Sequence, residues 1–119
     1  MMFDIISFRK TIPANSADWI ADRIKGKGVI KKIQVRFYLQ AQELQITPYI
    51  ERKGAQLQPL IRFPSTTNQY LSGDDDILTY EVFIPVENDE YIKIFAKNIN
   101  AVDDYDLAVD VIIQYEGGI

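Results

Sequence analysis

The chain reads as an all-β protein, an antiparallel β-sandwich of jelly-roll or related Greek-key type with seven to eight strands, on three observations. Near the carboxyl end, Leu107, Val109, Val111, Ile113 and Tyr115 alternate with Asp106, Ala108, Asp110, Gln114 and Glu116, the period of a strand with one buried face. The same period of two returns in four or five other segments. No window of a dozen residues carries a helical stripe, and the segments are separated by turn-forming polar clusters of varying length, so the apolar faces must be covered by other sheets. A closed small barrel is the alternative.

Each element follows from its local pattern. Residues 2–8 open the chain with an apolar run. Residues 17–24 set Trp19 beside Ile20 and read as a short strand in preference to a helical turn. Gly26, Lys27 and Gly28 supply the permissive backbone of a tight turn. The long strand after it buries Ile33, Val35, Phe37 and Leu39, exposes Lys32, Gln34, Arg36, Tyr38 and Gln40, and should hold a firm register because one face is apolar. Residues 43–52 put Leu44, Ile46 and Ile50 on one face, and Pro48, lacking an amide donor, assigns that strand to a sheet edge or a bulge. After a turn at Arg52, Lys53 and Gly54, residues 60–63 form a short strand, followed by a polar loop through Ser65, Thr66, Thr67, Asn68 and Gln69. Ser72, Gly73, Asp74, Asp75 and Asp76 mark a surface turn. Residues 77–86 and 91–98 are two further strands about a turn at Glu87, Asn88 and Asp89, and the alternating run at 107–115 closes the chain.

Composition bounds the function. A length of 119 residues suits one domain spanning 1–119, and 47% apolar with 25% charged residues is ordinary globular usage. With no cysteine there is neither a disulfide framework nor a thiolate metal site. No apolar run reaches signal-peptide or membrane-span length, so neither a leader nor a membrane is expected. A net charge of -4 argues against nucleic acid as a partner, since phosphate binding needs a basic footprint. The chain has no histidine, which excludes Ser-His-Asp and Cys-His arrangements, and a chain this short has little material to hold two carboxylates across a cleft. An enzyme is not expected, and no cofactor is implied.

Three groups of residues stand out as candidate sites. Tyr38, Tyr49, Tyr91 and Phe95 share strands with inward aliphatic residues yet have the outward parity, so they mark a surface for stacking on sugars or for anchoring a protein, or a face covered by loops or a second copy. Trp19 joins them as a binding candidate, although its neighbours Ile20 and Ile24 favour a core or rim position. Asp74, Asp75 and Asp76 in one loop and Asp103, Asp104 and Asp106 in another are candidate calcium ligands, without EF-hand spacing and against the ordinary role of Asp in turns. Lys25, Lys27, Lys31 and Lys32 surround the glycine turn, joined by Arg9 and Lys10 if the first strand runs alongside, and read mainly as a solvated hairpin tip that discourages edge pairing.

The layout resembles a family. The segment Thr11-Ile12-Pro13-Ala14-Asn15-Ser16, the glycine-led strand Gly28-Val29-Ile30-Lys31-Lys32-Ile33-Gln34-Val35, and the pairing of Ile92-Lys93-Ile94-Phe95-Ala96-Lys97-Asn98 with the run at 107–115 look like small jelly-roll accessory proteins of tailed bacteriophage virions, including capsid decoration proteins, head fibres and receptor-binding or adaptor domains. The similarity spans most of the chain and lies in pattern and loop placement, so no functional residue carries over. It implies a non-enzymatic virion protein acting through oligomeric assembly, with a trimer favoured, and attaching to other virion proteins or a host-surface glycan. Two other readings stand beside it. A carbohydrate-binding module would hold Trp19, Tyr38, Tyr49 and Tyr91 coplanar on one exposed face, and a cytoplasmic protein-interaction domain would look much the same at this level.

Overall fold

The computed structural model describes residues 2–54, 56–62 and 69–116, which contain eight strands and no helix. These are β1 (Met2–Ile12), β2 (Ser16–Arg23), β3 (Gly28–Phe37), β4 (Leu44–Glu51), β5 (Gln58–Pro59), β6 (Asp76–Val86), β7 (Tyr91–Asn98) and β8 (Tyr105–Tyr115). They form two four-stranded antiparallel sheets in the orders β1-β8-β3-β6 and β2-β7-β4-β5. Four of the pairings, β1 with β8, β2 with β7, β3 with β6 and β4 with β5, are those of a single long hairpin whose two arms run side by side. Rolling that hairpin into two layers adds the contacts of β3 with β8 and β4 with β7. This is the jelly-roll strand order, and two distinct sheets replace the closed barrel.

The core lies between the sheets and follows the period of two. Ile33, Val35 and Phe37 of β3 face Ile46 and Ile50 of β4 and Ile92 and Ile94 of β7 across the sandwich, all of them buried. In β8, Leu107, Val109, Val111 and Ile113 are buried between two neighbours, as their alternation requires. β1 contributes Ile6, Phe8 and Ile12, so the amino-terminal strand packs on the core from Ile6 to Ile12.

Several local expectations are corrected. β3 ends at Phe37, and Leu39 is 70% exposed because the chain has already left the sheet for the turn in which Gln40 takes a positive φ of 65°. The register of β3 is interrupted between Ile30 and Lys32, where β8 advances by one residue and β3 by two, so Lys31 is a bulge that shifts the buried parity from Ile30 to Ile33. The short strand is Gln58–Pro59, ahead of the expected 60–63, and Leu60 and Ile61 are buried in a bend. Phe63 and the loop residues Ser65, Thr66, Thr67 and Asn68 lie outside the described residues.

Pro48 does not place β4 at an edge. β4 is third in its sheet, with β7 along one side and β5 and the Ile46–Leu71 bridge on the other. The Pro48 carbonyl accepts from Leu60 N at 2.9 Å, and a strand residue points its carbonyl and its amide to the same side. The missing donor therefore faces β5 and removes no bond from the β7 ladder. Arg9 and Lys10 also sit apart from the glycine turn, because β1 pairs with β8, with Arg9 opposite Ala108 and Ala108 opposite Arg36 at the other end of the sheet.

Polar links close the ends and sides of the sandwich. Lys10 of β1 and Asp18 of β2 form an ion pair across the open side, where inward-parity charge on an edge strand also discourages further pairing. The Asp18 carboxyl is held below the usual range by hydrogen bonding to Lys10 and to the Trp19 amide. On the opposite side, Arg52 Nη1 meets both oxygens of the buried Glu90 at 3.0 Å, and Nη2 donates to Pro85 O of β6 at 2.9 Å. Glu90 also accepts from Glu87 N at 2.7 Å, so one guanidinium ties the sheet of β4 to the edge of the other sheet. Asn98, 1% exposed, donates to Ile12 O at 3.0 Å and Asp103 O at 2.9 Å and accepts from Asn100 N at 2.9 Å, leaving its amide satisfied.

Two outcomes follow. Arg52→Met should leave Glu90 buried without its cation and lower stability by about 2–3 kcal/mol, read as a fall in the urea midpoint at neutral pH. At Asp110, partial burial raises the pKa, but hydrogen bonds from Arg9 and Ser7 with the Arg9 charge outweigh it, so the folded value lies below the usual one. A depressed acid contributes stability above its unfolded pKa of about 3.9 and loses it as pH falls through the folded value. Asp110→Asn should therefore weaken the pH dependence of stability below about pH 4, measured by urea unfolding at several acidic pH values.

Candidate functional site

The outer face of the β2-β7-β4 sheet gathers an aromatic cluster from three strands. Trp19 of β2 lies directly opposite Phe95 of β7, and Phe95 lies opposite Thr47 of β4. Because these residues have the parity opposite to Ile20, Ile94 and Ile46, their side chains point away from the core. The Trp19 and Phe95 ring centres are 4.8 Å apart with planes 49° from parallel. Tyr49, one pair further along β4, reaches diagonally to within 5.6 Å of Trp19 at 40°. Tyr91 lies on the same face beyond Lys93, at the other end of β7, between Arg23 and Glu51.

Trp19 is 44% exposed and Tyr91 38%, while Tyr49 and Phe95 are half-buried. Thr47 is buried despite its outward parity, since its hydroxyl donates to Gln69 O at 2.8 Å where the chain folds back over the sheet. The patch is thus covered at one side by its own chain and open over Trp19. Ion pairs bound it at the Tyr91 end: Lys93 Nζ with Glu51 Oε2 at 2.7 Å, and Arg23 Nη1 with Asp89 Oδ1 at 3.4 Å.

Four of the five binding candidates, Trp19, Tyr49, Tyr91 and Phe95, therefore share one face. Tyr38 does not join them. It follows β3 at the far end of the other sheet, stacked on by the Arg36 guanidinium at 5.0 Å, beside a shallow groove lined by Arg9, Lys10, Thr11, Asp106 and Leu107. Trp19 is on the exposed face, not in the core, because the strand alternates and Ile20 takes the inward parity.

Four of the six candidate calcium carboxylates accept hydrogen bonds from the protein's own groups. Asp74 accepts from the Gln40 amide and Asp76 from Asp74 N at 2.9 Å. Asp104 accepts from Ala14 N at 2.9 Å and Asp106 from the Thr11 hydroxyl at 2.6 Å, while Asp103 offers its backbone carbonyl to Asn98. Asp75 takes a positive φ of 52° in the same turn. Among the described residues, no three Asp or Glu side chains are grouped to hold a metal ion.

A second exposed apolar group escaped the sequence reading. On the outer face of β1-β8-β3-β6, Phe3 and Ile5 of β1 are 59% and 58% exposed and Phe83 of β6 is 69% exposed. The signal was present: residues 2–8 and 82–86 carry apolar residues on both parities, which a strand with one solvated face does not need.

No family model matches the chain, and no curated protein matches it. Among solved structures, the chain aligns over 98% of its length with 32% of a chain in the structure of infectious bursal disease virus Gx strain, at 13% identity and a TM-score of 0.44. It spans about a third of the matched chain. A likeness of that size carries no argument about what this chain does.

The exposed cluster should matter little to folding. Trp19→Ala should cost about 1 kcal/mol or less, whereas Ile94→Ala, fully buried on the opposite parity of the neighbouring strand, should cost about 2–5 kcal/mol, both read from urea unfolding.

Proposed function

We propose that this chain is a non-enzymatic virion structural protein of the decoration, fibre or adaptor type, which attaches to a protein partner through the outer face of β2-β7-β4. The aromatic cluster of Trp19, Phe95 and Tyr49 carries this reading. Rings tilted by 40° and 49° to one another make a ridged surface that fits side chains of a partner, whereas a sugar platform needs flat, coplanar rings. An aromatic centre bounded by Lys93–Glu51 and Arg23–Asp89 also has the arrangement of a protein contact, with anchors in the middle and charge at the rim. The virion setting rests on the resemblance in strand layout and loop placement, and the jelly-roll strand order agrees with it.

The mechanism is attachment without chemistry. The face is carried by three hydrogen-bonded strands, β2, β7 and β4, so little backbone freedom is lost when a partner covers Trp19. Trp19 supplies both a large apolar surface and an indole N–H donor, and Tyr91 adds a hydroxyl at the rim.

Incorporation into particles tests the reading. Particles assembled in a host that expresses the chain, purified on a density gradient, should contain it in fixed stoichiometry, and Trp19→Asp with Phe95→Asp should leave it in the soluble fraction while folded. Wild-type protein absent from the particles, together with quenching of Trp19 fluorescence by oligosaccharides, would transfer the face to the carbohydrate-binding reading.

A further inference from the structure

We propose that the opposite face of the molecule, the outer surface of β1-β8-β3-β6, is a contact between two copies of this chain related by a two-fold axis. The inference deepens the assembly reading above and rests on it, but it concerns a different sheet and different residues. It also replaces the trimer that the sequence analysis favoured with a dimer.

The face is divided into two halves. Toward the end where Met2 pairs with Tyr115, the outward apolar positions are Phe3 and Ile5 of β1, Ile112 of β8, Val29 of β3, and Phe83 and Pro85 of β6, with Gln114, Lys32 and Glu81 as the polar positions among them. Toward the other end they are mostly charged or polar, with Arg9 paired to Asp110 at 3.0 Å and Thr11 bonded to Asp106, and with Ile77 on the β6 edge as the exposed apolar exception. The exposed rings and Ile5 therefore sit on the two edge strands, with Ile112 and Val29 between them beside the polar Gln114 and Lys32. Phe3 and Phe83 each leave more than half of a phenylalanine uncovered, together about 250 Å² on the area scale of aromatic side chains. Four strands at about 4.8 Å spacing make a face about 19 Å wide, and half of the length of β1 is about 19 Å, so this half of the face offers roughly 360 Å² in projection per copy. That falls below the roughly 800 Å² per partner of a standard stable complex and fits a reversible dimer.

The partner is identified by the symmetry of the placement. In this sheet β1 and β6 occupy the two edges, and the pairings place Phe83 between the heights of Phe3 and Ile5: Phe3 runs through Gln114 and Val29 to Pro85, and Ile5 through Ile112 and Lys32 to Glu81. A two-fold axis running parallel to the strands, between β8 and β3, lays β6 of one copy over β1 of the other. Phe83 then meets the partner copy's Phe3 and Ile5, and the same contact is made twice, as an isologous interface requires. Two sheets stacked this way pack face to face in the aligned mode of a β-sandwich.

The charge on the face is compatible with this contact. Lys32, near the axis, has Glu81 as its cross-strand neighbour, which offsets the approach of two lysines. The bulge carries Lys31 across Phe83, with its ammonium 4.9 Å from the ring centre, so the cation lies against the ring instead of blocking the face with free charge. Edge-to-edge pairing through β6 is disfavoured by Pro85 and by the shifted register beside the bulge, which leaves the face as the contact.

Sedimentation equilibrium on the purified full chain gives the first test. The mass should rise from 13.7 kDa toward twice that value as concentration is raised, with Phe83→Glu remaining monomeric at every concentration and retaining the wild-type circular dichroism. Trp19→Ala should dimerise as wild type does, which separates this face from the attachment face. Because the chain has no cysteine, crosslinking adds a positional test. Ile5→Cys combined with Phe83→Cys should oxidise to a disulfide-linked dimer, and Phe83→Cys alone should not. A wild-type chain that stays monomeric at millimolar concentration, a dimer unaffected by Phe83→Glu, a trimer, or crosslinking by Phe83→Cys alone would each overturn the proposal. Loss of particle incorporation in Trp19 variants with dimerisation intact, or the reverse, distinguishes failure of one proposal from failure of the other.

Discussion

The pairing of β8 between β1 and β3 is the constraint on which the rest of this molecule depends. The last strand runs antiparallel to the first over eleven residues, from Met2 opposite Tyr115 to Ile12 opposite Tyr105. Once β8 is seated, β7 must lie beside β2 and β4, and the hairpin of β3 and β6 is drawn into the same sheet. The contacts are almost all remote in sequence, so the chain has to close long loops before any of this burial stabilises it. The depth of alternation in β8, with Leu107, Val109, Val111 and Ile113 buried against both neighbours, provides the apolar area that offsets that cost.

Gly28 shows how tightly β3 is fitted to that strand. A Cβ there would collide with the carbonyl oxygen of Gln114, so the glycine that sequence analysis assigned to a turn also permits close backbone approach to β8. Three residues later, the Lys31 bulge absorbs the mismatch between β3 and β8 and turns the lysine outward over Phe83. The closing strand thus governs both the core and the shape of one outer face.

Sequence periodicity revealed the sandwich because β3, β4, β7 and β8 each have one strongly apolar parity. Strand ends were less legible: Leu39 continued the alternation of β3, yet the chain turns away at Tyr38, where Asp75 N donates to its carbonyl and no neighbouring strand remains. Pro48 suggested an edge because a sequence states that a donor is missing but not which side of the strand it would have faced. The aromatic site was legible in part. Parity placed Tyr49, Tyr91 and Phe95 outward, but bringing Trp19 onto the same face required the β2–β7 register, which depends on long-range pairing. Tyr38 had the same outward parity and went elsewhere for the same reason.

The proposed roles of the two outer faces are separate: tilted aromatic rings on β2-β7-β4 for attachment, and the exposed apolar residues of β1-β8-β3-β6 for contact with a second copy. Hydroxyl-radical footprinting of the free chain against the chain assembled on its particle tests the central claim of attachment most directly. The account predicts that Trp19, Tyr49, Tyr91 and Phe95 become protected on assembly while Tyr38 and Leu39, at the far end of the other sheet, are modified as before. Equal modification of Trp19 and Phe95 in the free and assembled protein would contradict it.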